Sequence, residues 1–158
     1  MSWGVASSIS TVPACLDALV AAARRAHPDA DAVDVVDGQP VKGTLDDVIC
    51  IGFTSEPGEA AVQSALSRTQ MATTPDQEAY DVTCLASSWA GEQVDPVIVR
   101  DRAYALVNGL ATYLAQDPTL GDVVARARIS TEAFAQEQTT RGAVATVQFV
   151  VHVDAFRR

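Results

Sequence analysis

The closing stretch of the chain alternates apolar and polar side chains, and this alternation limits the possible folds more than any other feature. Five alternate positions are apolar: Ala145, Val147, Phe149, Val151 and Val153. The intervening positions are mostly polar. Because neighbouring side chains of a β-strand point to opposite faces, the pattern predicts a strand with one buried and one solvated face. Such strands are typical of antiparallel sheets that are covered on one side.

Two helices are predicted to cover the buried face. The first runs from Thr11, a possible N-cap, to His27, with a proline in its first turn and another directly after its end. The second begins at the N-cap Asp95 and ends near Gln116, before an Asp-Pro pair. Gly109 interrupts this helix, and close approach of the helix to the sheet would explain it. One apolar stripe repeats at three- and four-residue steps: Val99, Ala103, Leu106, Leu110 and Tyr113.

Several runs between and after these helices have the character of strands. They include residues 33–36, 47–53 and 80–86, while residues 61–71 fit a helix or a strand. The last third predicts a long hairpin, with a first strand over residues 123–130 and a polar, projecting tip over 136–142. Residues 61–77 are a second polar segment that is predicted to project from the domain. The prediction is an α+β fold: a mainly antiparallel sheet, two principal helices packed on it and a long C-terminal β-hairpin.

A length of 158 residues is that of one domain, so residues 1–158 are predicted to form a single unit, with residues 1–10 as a flexible N-terminal segment. Twenty Asp and Glu against 11 Lys and Arg give a net charge of −9, which disfavours binding of nucleic acid through its phosphates. No apolar run approaches the roughly 20 residues of a membrane span, and no basic residue precedes the N-terminal apolar stretch as in a secretory signal.

Residues that could carry chemistry are few. The odd set of Cys15, Cys50 and Cys84 sits in apolar patterns, which predicts reduced thiols in the core, and no metal site or cofactor is expected. Hydrolase, phosphate-loop and dinucleotide motifs are absent from the sequence. His152 shares a strand face with Asp154, but a single histidine on a polar face is more typical of a surface or an interface. The chain is therefore predicted not to be an enzyme.

The order of elements and several local stretches resemble the tail terminator, or tail completion, proteins of long-tailed bacteriophages. The most specific part is an Asp-Pro-Thr-Leu-Gly motif together with the valine-rich closing strand. The similar stretches, which lie within an overall likeness of about residues 11–156, are Val36–Pro40, Asp47–Gly52, Val97–Ala115, Asp117–Val124, Gly142–Val151 and Val153–Ala155.

This resemblance implies a structural protein of the virion tail or neck, assembled in the host cytoplasm. The subunits would form a ring, a hexamer in such proteins, which caps the head-proximal end of the tail tube, ends tube polymerisation and joins the tail to the head. Its partners would be further copies of itself, the tail tube protein and a head–tail connector protein, with no membrane involved. DNA would pass through the ring without sequence-specific binding. Two alternatives remain: another neck or head-completion connector protein, and a small-molecule-binding α+β domain.

Six residues are candidates for contact with a neighbouring subunit or the tube. The two aromatic ones are either covered by helices on both faces of the sheet or placed at an interface, where aromatic side chains are enriched. The four arginines either meet carboxylates of a partner or are solvated charges of a strand face. The candidates are Arg68, Trp89, Arg126, Arg128, Phe134 and Arg141.

Overall fold

A computed structural model describes residues 9–40, 43–54, 58–67, 76–91, 95–139 and 141–157. Two helices pack on one face of a mixed, mostly antiparallel sheet, which confirms the predicted α+β class and the C-terminal hairpin. In chain order, the elements are α1 (Val12–Ala26), β1 (Val33–Asp37), β2 (Asp47–Ile51), β3 (Val62–Ser67), β4 (Asp76–Ala90), α2 (Pro96–Gln116), β5 (Arg126–Thr139) and β6 (Gly142–Arg157).

The long strands β4 and β6 form the centre of the sheet. The spatial order is β1-β2-β4-β6-β5, and β3 pairs with the part of β4 that β2 does not reach. Only the β1–β2 pair is parallel among the pairings that the structure describes. The stretch 61–71, for which the sequence allowed a helix or a strand, is therefore strand as far as Ser67, and its remainder lies outside the described residues.

Helix α1 has the predicted bounds, with Thr11 at the N-cap position and His27 at the C-cap. The Thr11 side chain, however, does not cap the helix. Its hydroxyl donates to Glu78 of β4 (2.6 Å), while the hydroxyl of Ser10 accepts from the Val12 amide (3.1 Å). Ser10 is thus held in the fold, contrary to the prediction that the flexible segment includes it, and residues 1–8 lie outside the described part of the chain.

Helix α2 begins as predicted, since the Asp95 carboxylate accepts from the Val97 amide at 3.0 Å. The residues of the predicted stripe are buried, except for Tyr113, which is half-buried. The next residue, Leu114, lies in the core instead. The reason suggested for Gly109 was wrong. A Cβ at Gly109 would lie 2.7 Å from the His27 ring, so the close approach is to the end of α1 and not to the sheet.

One hydrophobic core lies between the helices and the sheet. The side chains of β6 that were predicted to be buried are all buried, and the alternate residues of β4 from Tyr80 to Ala86 join them. Cys15 and Cys84 belong to this core, and Cys50 is buried in a smaller cluster on the other side of the sheet, with Val48 and Leu85. All three cysteines are free thiols, as predicted.

Two details of the predicted hairpin were wrong. Its first strand begins at Arg126 and not at residue 123, because Leu120, Gly121 and Asp122 form a turn with positive φ angles of 51°, 68° and 66°. Its tip is not a loop over residues 136–142. The register pairs Thr139 with Gly142, so strand β5 continues through this polar stretch and only residues 140 and 141 connect the strands.

Candidate subunit interface

The helices lie on one side of the sheet, and we call the opposite side the open face. It carries half-buried side chains of alternate residues of β4 and β6, including Thr83, Gln148 and Val150, and the small buried cluster of Val48, Cys50 and Leu85. Within the described ranges, no helix packs there. The alternative in which helices cover the aromatic residues on both faces is therefore wrong for the open face.

Trp89 lies on the open face, at the end of β4. Its side chain is 45% exposed, although its backbone is firmly held. The Trp89 carbonyl accepts from the Arg102 guanidinium of α2 (2.8 Å), and its amide donates to Asp46 (2.9 Å). Arg102 also contacts Ser88 and Asp47, at 2.9 and 3.2 Å. A large apolar ring is thus displayed to solvent on a rigid backbone.

Phe134 lies on the other face, so it does not form one patch with Trp89. Its ring packs against Tyr104 of α2, with ring centroids 5.4 Å apart and planes tilted by 36°. The Phe134 side chain is nevertheless 41% exposed, because it lies at the rim of the sheet. The structure therefore gives this residue a packing partner and leaves part of its surface open.

Arg126 and Arg128 lie on the exposed start of β5, with side chains on the open face as the sequence predicted for the polar side of their strand. In the register of the sheet, Arg128 is opposite His152 and Arg126 is opposite Asp154. The structure thus places the two arginines beside a charged cluster. From the sequence, only His152 and Asp154 could be assigned to that cluster. Arg141 is exposed in the turn of the hairpin, away from that pair, and Arg68 lies outside the described residues.

His152 is clamped between two carboxylates. Its Nδ1 lies 2.7 Å from Asp81 Oδ1, and its Nε2 lies 3.3 Å from Asp154 Oδ1. Each ring nitrogen thus faces a carboxylate of the protein itself, and the ring is held in place by side chains of two strands.

The cysteines are equally unsuited to nucleophilic chemistry. Burial raises the pKa of the Cys15 and Cys50 thiols to about 11 and that of Cys84 to about 12. At neutral pH these thiols are protonated, and the reactive thiolate is rare. Among the residues with described positions, no group of three or more His, Cys, Asp or Glu side chains could hold a metal ion.

A groove lies along α2 beside the end of α1. It is shallow and wide open, and its polar lining residues, Asn108, Thr112, Tyr113 and Gln116, all belong to α2. Such a groove does not enclose a small ligand as ligand pockets typically do. No described helix is both long and apolar enough to span a membrane.

The feature that sequence reasoning missed is the exposure of β5 on both of its faces. All residues from Glu132 to Gln138 are exposed, and we call residues 132–138 the arm. The arm is attached to the domain by its pairing with β6 and by contacts to α2, such as the Gln136 amide donating to the Pro96 carbonyl (2.8 Å). The polar composition of residues 136–142 predicts a loop, although Glu132, Phe134 and Gln136 alternate with two alanines on the opposite face, as in a strand.

No protein-family model matches this chain, and no curated protein matches its sequence.

Proposed function

We propose that this chain is a tail terminator protein of a long-tailed bacteriophage: a structural subunit of the virion neck that forms a ring, a hexamer by resemblance, on the head-proximal end of the tail tube. The ring would end tube polymerisation and offer a surface to the head–tail connector protein. DNA would pass through it without being read. The proposal starts from the resemblance of the sequence stretches and their order.

The observation that carries the proposal is the surface left exposed along the open face and the arm. The open face exposes Trp89 and the arginine pair, and the arm exposes the edge of Phe134 on the helical side. Aromatic and arginine side chains are enriched at protein–protein interfaces. A structural subunit that must contact several neighbours needs such surfaces, and the described residues offer no catalytic constellation that would explain them.

The charges favour protein partners over DNA. The described residues 28–40 and 43–54 carry six carboxylates and no basic side chain, whereas the opposite edge strand begins with Arg126 and Arg128 and carries Glu132 and Glu137 further along. An acidic edge on one copy and an arginine pair on the next suit head-to-tail contacts, which close into rings when the rotation allows. Arginine can also form bidentate bonds to carboxylates of a tube protein.

The test uses the purified chain and tail tubes assembled from the tube protein of the same virus. Negative-stain electron micrographs should show a ring on one end of each tube, and tubes should stop growing when the chain is added. Binding to the portal but not to tubes would assign the chain to another connector class. A chain that stays off the tubes at all concentrations would overturn the proposal.

The double substitution Arg126→Glu and Arg128→Glu locates the contact. Both side chains are exposed, so the fold should persist, as checked by thermal unfolding. Complementation with this variant should give over-long or unfinished tails. The matched control is Arg24→Glu with Arg100→Glu, two exposed arginines of the helices, which makes the same charge change on the helical side. Normal tails from the β5 variant would remove these two arginines from the contact.

A further inference from the structure

The outer edge of β5 is long, and only its start is covered within the described residues: the Ala127 amide donates to the Pro118 carbonyl (2.7 Å). The strand has 14 residues, roughly 45 Å at 3.3 Å per residue, and in the part of the chain that the structure describes no strand pairs with its outer side. Free backbone N–H and C=O groups along such an edge are a template for another strand. Proteins often block such edges with proline, charged side chains or β-bulges; β5 contains no proline or lysine, but it has four charged residues and a bulge at Ser130. The arm adds exposed side chains on both faces along this edge.

The sequence of β5 is complementary to itself in the antiparallel direction. A twofold axis at Ala133 pairs residues 128–137 of the strand with the same residues of a second copy, and leaves out Ala127, whose amide already donates to Pro118. A β-bulge at Ser130, where the pairing with β6 skips one residue, keeps the faces in step on both sides of the axis. Each residue then meets one on its own face. The pairs, the second residue of each belonging to the other copy, are Ala133 with Ala133, Glu132 with Phe134, Ile129 with Gln136, and Arg128 with Glu137.

The charges agree with this register. Arg128 and Glu137 both lie on the open face, opposite His152 and Val144 of β6. Both are exposed, and within the described residues neither makes an ion pair. The twofold axis brings Arg128 of each copy opposite Glu137 of the other, which gives two ion pairs. Opposite charges placed directly across two strands stabilise their pairing.

We propose that two copies of this chain pair through the outer edges of β5, antiparallel and centred on Ala133, so that the two sheets become one continuous sheet. The pairing gives the free backbone groups of the edge hydrogen-bond partners and covers the outer edge of the arm. The occupant of this edge in the free protein is therefore a second copy of the same chain.

This pairing goes beyond the proposed function and does not depend on it. An isologous contact closes on itself and gives a dimer, whereas a ring of more than two copies needs a heterologous contact. The β5 pair is a state of the free protein, and its test contains no tail tubes. A negative result here therefore leaves the tube-capping proposal standing, and failure to cap tubes leaves the pairing standing.

The first experiment measures the dimer dissociation constant by analytical ultracentrifugation. Each of Arg128→Glu and Glu137→Arg places like charges opposite each other twice and should weaken the dimer about tenfold or more. The double variant, with both charges exchanged, should recover most of the affinity. Arg24→Glu on α1 is the control and should leave the dimer unchanged. A monomeric wild-type chain, or a dimer that the single reversals do not weaken, overturns the proposal.

The second experiment tests the register with a cysteine at the axis. The three native cysteines are buried, so Ala133→Cys provides an exposed thiol that should form a disulfide-linked dimer under mild oxidation. Ala135→Cys is the matched control on the same face of the same strand. Its two copies would be separated by four residues along the strand, about 13 Å, which a disulfide cannot span. Equal cross-linking at both positions, or none at 133, overturns the centred pairing.

Discussion

Glu78 is the buried carboxylate that fixes the start of α1 to the sheet. It is 3% exposed and accepts hydrogen bonds from the Ser10 hydroxyl (2.6 Å), the Thr11 amide (2.8 Å) and hydroxyl (2.6 Å), and the Ser64 hydroxyl (2.9 Å). Burial acts to raise its pKa, but these hydrogen bonds to the ionised form outweigh burial, and the pKa of Glu78 lies below its ordinary value.

Glu78→Gln should therefore lower the free energy of unfolding at pH 7 by about 1.5–3 kcal/mol, the range for hydrogen bonds to a charged group. The pKa of Glu78 is lower in the folded than in the unfolded protein. Its contribution is thus complete above pH 4.5 and is lost as the pH falls through the folded value. Urea unfolding from pH 7 to pH 3 should show the wild-type and variant curves converging at acid pH.

Ser64→Ala serves as the control for this prediction, because it removes a single donor from the cluster and should cost clearly less than Glu78→Gln. A stability difference between wild type and Glu78→Gln that stays constant down to pH 3 would show that the carboxylate charge is not what holds α1.

Gly109 offers a second test at the residue scale. Alanine is favoured over glycine inside a helix by about 1 kcal/mol, but its Cβ would meet the His27 ring at 2.7 Å. That ring donates from Nε2 to the Leu106 carbonyl (2.8 Å). Gly109→Ala alone should therefore leave the melting temperature unchanged or lower it. In a His27→Ala background the same substitution should stabilise the protein by about 1 kcal/mol. Equal effects in both backgrounds would mean that His27 does not explain this glycine.

At the scale of elements, the sequence predicts helices better than strands for a physical reason. Prolines and the Asp95 cap stop or start a helix through local backbone geometry, so both helices have their predicted bounds within a residue. The length of β5 depends on its pairing with β6, which no local signal encodes. A polar stretch exposed on both faces therefore resembles a loop, although it is strand as far as Thr139.

The candidate interface shows the same difference between what the local sequence predicts and what depends on the pairing of distant strands. The alternation of residues placed Arg126, Arg128 and Trp89 on the open face from the sequence alone. Phe134 falls on the opposite face because the bulge at Ser130 shifts the phase of the strand, and its packing on Tyr104 depends on where α2 lies. The juxtaposition of Arg128, His152 and Asp81 is also a product of strand order, since these residues come from three strands.

At the scale of the whole molecule, the two proposed contacts both need the start of β5, so one subunit cannot make both at once. The tube contact proposed for Arg126 and Arg128 needs the start of β5 to be free, whereas the β5 pair places Arg128 against Glu137 of a second copy. A dimer would therefore have to open before its subunits join a ring. Binding to tubes and pairing through β5 then compete for the same edge.

The Ala133→Cys variant can be used to measure this competition. Oxidised, disulfide-linked dimers should fail to cap tail tubes, because the linked edges cannot separate, and reduction should restore capping to the wild-type level. Ala135→Cys treated in the same way should cap tubes in both states, since its thiols lie too far apart to link within the pair. The readout is the fraction of tube ends with a ring in electron micrographs. Capping by the linked dimer at the wild-type level would show that the tube contact lies away from β5, and would direct the search to Trp89 and the rest of the open face.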